Sequence, residues 1–212
     1  MDGNATIIAA NKLLAAMRKE DGTLRTYDEM KAEGIETKYL GRYETNTTPG
    51  LCRLDPNTGI GDPTPAFTYC LNLAEVEVDT KTGKTTVLKF TCVDFVGRIG
   101  NIDAVNGQAY SGIMHGIGFA LKEDYADVKK HANMFGAGTS YIKDVPDDIN
   151  LIHIDGAISD GPFGSSGASE AFQASGHCAV LNGIYNACGV RIHETPHCCE
   201  STKTDIELLP LV

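Results

Sequence analysis

Leu73–Phe90 reads LAEVEVDTKTGKTTVLKF, and its period of two decides the fold class. Ala74, Val76 and Val78 alternate with Glu75 and Glu77, which predicts a strand with one apolar face and one wet face. The polar stretch Asp79–Lys84 supplies a turn. Thr85–Gly97 then returns as a second strand, with Leu88, Phe90 and Cys92 expected on one face.

Downstream the period changes. Tyr110, Ile113, Met114, Ile117, Ala120 and Leu121 recur at helical spacing, predicting a buried helix from about Ala104 to Lys122. Gly112, Gly116 and Gly118 each weaken an isolated helix by about 1 kcal/mol relative to Ala. Glycine at that density predicts a close approach to the backbone. A glycine-bearing loop follows, then a short strand at NLIHID, residues 150–155. The stretch GPFGSSGASEAFQAS, residues 161–175, leads into a helix expected over Glu170–Cys188 and stopped by Gly189. Its apolar stripe is Ala171, Ala174, Cys178, Leu181, Tyr185 and Cys188, widened by Val180, Ile184 and Ala187. Upstream, residues 5–19 and TYDEMKAEG at 26–34 read as helices, the latter starting near Thr26 or Asp28 and stopping at Gly34. Tyr43–Pro65 is an aperiodic loop rich in Thr, Pro, Gly and Asn. The expected fold is α+β in two layers, an antiparallel hairpin or sheet packed with two long buried helices. The expected division is residues 1–66 (helices and long loop), 67–200 (main domain) and 201–212 (tail).

The chain has 212 residues and a net charge of −10, from 18 basic and 28 acidic side chains. No basic run interrupts that balance, which argues against nucleic acid and anionic membranes as partners. No apolar stretch approaches the ~20 residues of a membrane span. The N-terminus has neither the charge placement nor the cleavage site of a signal peptide. Seven cysteines, an odd number without a CxxC pair, fit a reduced cytoplasmic setting. Cys198 and Cys199 lie near His193 and His197, but the spacing matches no structural zinc pattern, so no metal ligands are expected.

Glu170 admits two readings. With Ser169 as N-cap, an acid in the first turn is favoured by the helix dipole by roughly 0.3–1 kcal/mol. Alternatively, a carboxylate fixed where a flexible uncharged loop meets a helix can meet a substrate and act as general base. Gln108, Gly112 and His115 form a polar–small–polar row on one helix face. They fit either an exposed face or a surface for a flat, hydrogen-bonding ligand. His177 reads as a core histidine and Asp94 as a turn cap. FGAGTS at 135–140 lacks the lysine and preceding strand of a phosphate loop. GSSG is not a nucleophile elbow.

Leu73–Asp124, GTSYIKDVPDDINL at 138–151 and Gly161–Pro196 together resemble the C-terminal part of the large subunit of molybdenum hydroxylases. That is the xanthine dehydrogenase and aldehyde oxidoreductase family, with bacterial aldehyde oxidoreductases most similar. TYDEMKAEGIETKYLGRY and TPGLCRLDPNTGIGDPTPAF extend the resemblance upstream.

The resemblance implies that Glu170 is the general base beside the molybdenum centre, from a Gly-x-Gly-Glu loop. Ser169 stands where the family usually has glycine. It implies that Gly107 and Gln108, with Ser166, Gly167 and Ser169, contact the pterin. His115 replaces a second glutamine of many relatives. The implied cofactor is molybdenum–molybdopterin, in its cytosine dinucleotide form, with iron–sulfur clusters on other domains. The implied partners are the remaining large-subunit domains, the iron–sulfur domains or subunit, and a small aldehyde. The chain is accordingly expected to be a fragment that neither holds cofactor tightly nor turns over alone. The alternatives are a fragment of a xanthine or N-heterocycle hydroxylase, and a non-enzymatic domain that self-associates into a homo-oligomer.

Overall fold

The computed structural model describes residues 2–44, 54–61, 67–158, 161–196 and 199–207. Most of the long loop at 43–65, Cys52 and Cys198 lie outside them, as do the side chains of residues 199–201. The chain divides into two compact units. One comprises residues 1–67 and 157–166, the other 68–156 and 167–212.

The first unit is built on helices α1 (Asp2–Met17) and α2 (Tyr27–Ala32). Thr26 and Glu29 form a reciprocal capping box that starts α2. Gly34, at φ +71°, follows its end. Lys19–Glu29 and Arg25–Glu33, each at 2.7 Å, brace the turn between the helices, and Met30 is buried beneath it. The returning segment 157–166 carries a short 3-10 turn, Pro162–Gly164, seated on α1. A Cβ on Gly3 would lie 2.6 Å from Pro162 Cγ.

In the second unit, β1 (Tyr69–Val78) and β2 (Thr85–Phe95) form the expected antiparallel hairpin. The third strand, β3 (Asp148–His153), joins β2 in parallel, so the sheet is mixed, in the order β1–β2–β3. One expectation fails inside the hairpin. Glu75 pairs with Lys89 and Val76 with Val87, which leaves Leu88 as an extra, bulged residue. The bulge resets the alternation. Val87, Phe90 and Cys92 face the core, and Leu88 faces solvent at 48% exposure. The hairpin also starts earlier than its alternation suggested. Tyr69, Leu71 and Leu73 extend the outer row of β1 and are exposed.

Helices cover the other face. Helix α3 spans Ile102–Leu121, and Asn101 Oδ1 accepts the Ala104 N–H to cap it. The expected single helix over Glu170–Cys188 is two: α4 (Ala171–Ala174) and α5 (Gly176–Cys188). Ser175, at φ −120° and ψ 1°, breaks the run, and its Oγ accepts a hydrogen bond from Asn72 Nδ2 of β1 at 2.9 Å. The buried stripe also differs. Phe172, Gly176, Val180 and Ile184 point inward, whereas Ala174, Cys178 and Tyr185 are exposed. Phe172, Val180 and Ile184 thus take the core face, where they bury more apolar area than Ala174 or Cys178 would. Gly189, at φ +78°, ends α5 as expected. Residues Cys199–Glu207 form a last helix, α6, with Thr202 buried.

Candidate functional site at the crossing of α3 with α4 and α5

The site begins with two glycines. A Cβ on Gly112 would lie 2.6 Å from Phe172 Cβ and 2.9 Å from Gln173 N. A Cβ on Gly116 would lie 2.9 Å from Gly176 Cα. The clustered glycines therefore permit backbone contact between helices, as their density predicted. Gly112 meets residues 172–173 and Gly116 meets 176–177, so α3 runs parallel to α4 and α5 in steps of four residues.

Beside this crossing lies a pocket of about 330 Å³ lined by Gly116, Phe119, Glu170, Gln173, Ala174 and His177. Glu170, Gln173 or Ala174, and His177 fall three, four and seven apart, which aligns them along one side of the α4–α5 run. Glu170, not Ser169, occupies the N-cap position of α4. Its side chain makes no capping hydrogen bond, while its carbonyl accepts the Gln173 and Ala174 N–H groups, both at 3.2 Å. Ser169 therefore does not cap this helix, and Glu170 stands at its N-terminal end, where the dipole favours an acid. The carboxylate is exposed at the pocket wall.

His177 is not a core histidine. It is half-buried, lines the same pocket as Glu170, and meets the Phe119 ring edge-on at a centroid distance of 5.1 Å. Phe119 and Gln173 are the lining residues that sequence reasoning missed. Phe119 stands four residues beyond His115 on the row begun by Gln108, a spacing that could have found it.

Gln108 and His115 are exposed on α3. Gly107, Gln108's neighbour, is exposed, and a Cβ there would meet nothing within 4 Å. The same holds for Gly167. Neither glycine is required by packing among the described residues. Ser166 belongs to the first unit, whereas Gly167, Ser169 and Glu170 belong to the second. Just ahead of them, Phe163 is 79% exposed at φ +53°, a conformation that non-glycine residues rarely adopt.

Asp94 does not cap a turn. It is buried, and its Oδ2 lies 2.6 Å from His153 Nδ1, while His153 Nε2 lies 2.7 Å from Asn106 Oδ1. Burial pushes the Asp94 carboxyl above its ordinary range, and the His153 ring opposes that shift. Among the described residues, no group of three or more His, Cys, Asp or Glu side chains could hold a metal ion. No helix among them is long and apolar enough to cross a membrane.

Residues 1–146 match the family model for the molybdopterin cofactor-binding domain, and the chain belongs to that family. Within it, the similarity runs to molybdenum hydroxylases, as the motifs indicated. The chain is 42% identical over 196 residues to the aldehyde oxidoreductase of Megalodesulfovibrio gigas, covering 92% of this chain and 21% of that protein. It is 30% identical over 149 residues to a probable hypoxanthine oxidase, XdhD, of Escherichia coli K12, covering 68% of this chain and 16% of that one. The solved aldehyde oxidoreductase from Desulfovibrio gigas superposes with a TM-score of 0.91 at 40% identity, over 98% of this chain and 22% of that one. The enzyme from Desulfovibrio desulfuricans gives 0.86 at 43%, over 96% and 22%. The chain thus spans about a fifth of the length of these relatives.

Proposed function

We propose that this chain supplies one wall of the active site in a molybdenum-dependent enzyme that oxidises aldehydes, with Glu170 as general base. The observation that carries the reading is the pocket wall itself. Glu170 is free of helix-capping duty and lines an open pocket with Gln173 and His177. The substrate class rests on the aldehyde oxidoreductases among the relatives.

The residues fit a pterin-bound metal centre. Gly107 and Gly167 leave bare backbone, with room that no described side chain fills. Gln108 offers an amide N–H donor to the cofactor, and Ser166 and Ser169 offer hydroxyl groups. When bound, the molybdenum centre supplies the two-electron oxidation. Glu170 holds the proton released as oxygen is delivered to the substrate carbon, accepting it at a carboxylate oxygen. Phe119 supplies the apolar flank of the pocket, and Gln173 and His177 can hydrogen-bond a substrate oxygen.

The cofactor is proposed to be the cytosine dinucleotide form, with electrons leaving through iron–sulfur clusters held elsewhere in a cytoplasmic enzyme. The described cysteines Cys70, Cys92, Cys178 and Cys188 are free thiols, in keeping with a reducing compartment. The exposed row Tyr69, Leu71 and Leu73 supports coverage by the other domains of the larger enzyme. We propose that the 212-residue chain alone neither retains the cofactor nor turns over.

The test replaces Glu170 by Gln in the complete enzyme that carries this domain. With molybdenum content unchanged, kcat falls by about 10²–10⁴. A kcat within a factor of a few of the parent removes Glu170 from the role.

A further inference from the structure

The pocket accounts for one side of α3, while the other side carries a polar contact that the proposed chemistry does not use. Asn106 precedes Gly107–Gln108 and faces the sheet, whereas Gln108, two residues on, is turned by about 200° around the helix. His153 ends β3, and Asp94 is the next-to-last residue of β2. The His153 ring spans the gap, with one nitrogen 2.6 Å from the Asp94 carboxylate and the other 2.7 Å from the Asn106 side-chain amide. Its side chain is 12% exposed and that of Asp94 fully buried. Backbone bonding adds to the junction, since Ile154 N donates to Asp94 O at 2.8 Å.

We propose that His153 is a positioning residue, a bridge from Asp94 through Asn106 that pins the first turns of α3 to the ends of β2 and β3. The turn it pins carries Gly107 and Gln108 on its outer side, so the bridge fixes how they are presented. The functional side of this inference rests on the cofactor role proposed for Gln108.

Three features argue for a dedicated bridge. Both ring nitrogens are used, so the ring cannot rotate without breaking a contact at one end. The remaining Asp94 oxygen, Oδ1, is buried without a hydrogen-bond partner among the described residues, so the carboxylate depends on His153 for compensation. The first two turns of α3 also lack the intimate glycine contacts that hold its middle at Gly112 and Gly116, since a Cβ on Gly107 would meet nothing. Without the bridge, that end rests on the Asn101 cap, on the partly buried Val105 and on the buried Ala109 that follows Gln108.

The test uses the 212-residue chain and needs no cofactor. Amide hydrogen exchange is followed by NMR in the parent, in Asn106→Ala, in Asn106→Asp and in His153→Asn. Asn106→Ala removes the helix-side contact and leaves the Asp94–His153 pair. His153→Asn is too short to reach Asn106. In both, exchange over residues 105–110 accelerates about tenfold or more, while residues 113–121 and the sheet keep their protection. Asn106→Asp keeps an acceptor at the same atom and restores protection. Unchanged exchange at 105–110 in both disrupting variants overturns the proposal, and so does loosening of equal size throughout the unit. The cofactor role is read separately, from molybdenum retention by Gln108→Ala in the complete enzyme. Unaltered retention there removes the role of Gln108 and leaves the bridge standing.

Discussion

Gly116 and Gly176 bring two helix backbones together, so that a Cβ on the first would lie 2.9 Å from the Cα of the second. Gly116 also lines the pocket that holds Glu170, so the packing contact and the candidate site share a residue. Gly116→Ala gains about 1 kcal/mol of helix propensity. It loses about 1–3 kcal/mol to overpacking, because the atom opposite is backbone and cannot rotate away. Urea denaturation of the isolated chain will show a net loss of up to about 2 kcal/mol.

Gly107→Ala provides the contrast. A Cβ there meets nothing, so the chain alone gains about 0.5–1 kcal/mol from the reduced backbone entropy of the unfolded state. In the complete enzyme the same methyl group enters the space assigned to the pterin. The expected result is a more stable isolated chain and a cofactor-poor enzyme, measured by denaturation and by molybdenum analysis.

The bulge at Leu88 separates two neighbouring apolar positions. Leu88→Thr changes stability by less than about 0.5 kcal/mol, the range for exposed sites. Phe90→Ala costs about 3–5 kcal/mol, since Phe90 is fully buried beneath the helix crossing. Equal effects at the two sites will contradict the register Val76–Val87.

Strong acid weakens the capping box of α2. The Lys19 ammonium and the Thr26 backbone and hydroxyl hold the Glu29 carboxyl down, from 4.5 to about 2. A depressed carboxylate stabilises the fold above its unfolded value, and that contribution disappears as pH falls through its folded value. The stabilisation by Glu29 is therefore complete above about pH 5 and vanishes between 4.5 and about 2. Thermal melts of the parent and of Glu29→Gln will differ at neutral pH and converge in that interval.

Thiol chemistry distinguishes the cysteines. Cys70 and Cys92 stand with their sulfurs 3.4 Å apart, and Cys70, together with burial, pushes the Cys92 thiol well up. Cys178 is exposed on α5. Among these described cysteines, brief alkylation at pH 8 will label Cys178 first and Cys92 only after unfolding, as peptide mass spectrometry can read.

Sequence periodicity revealed the hairpin, α3 and the α+β class because each element repeats its signal over many residues. It did not reveal the bulge at Leu88, because a one-residue offset leaves both halves of the strand reading as regular. It also misread the helix after Glu170. The expected stripe and the buried one are offset around the helix, and Phe172, Val180 and Ile184 take the core face. Glu170 and the Gln108 row could be singled out by their setting beside glycines. The row begun by Gln108 also reaches Phe119, but His177 could not be singled out, because lining a pocket depends on which faces two helices turn towards each other. The bridge through His153 was hidden for the same reason. Its three residues lie 12 and 47 positions apart in the chain and meet only when β3 joins the sheet in parallel.

The first unit is not contiguous in the chain, because residues 157–166 fold with residues 1–67. The Pro162–Gly164 turn rests on α1, close to Gly3, and stands six residues ahead of Glu170. Shortening the protein from its amino end would therefore be no harmless trimming. Removal of α1 takes away the bed on which the Pro162–Gly164 turn rests, so a minimal version cut at residue 68 would keep residues 157–166 without the helix they fold against.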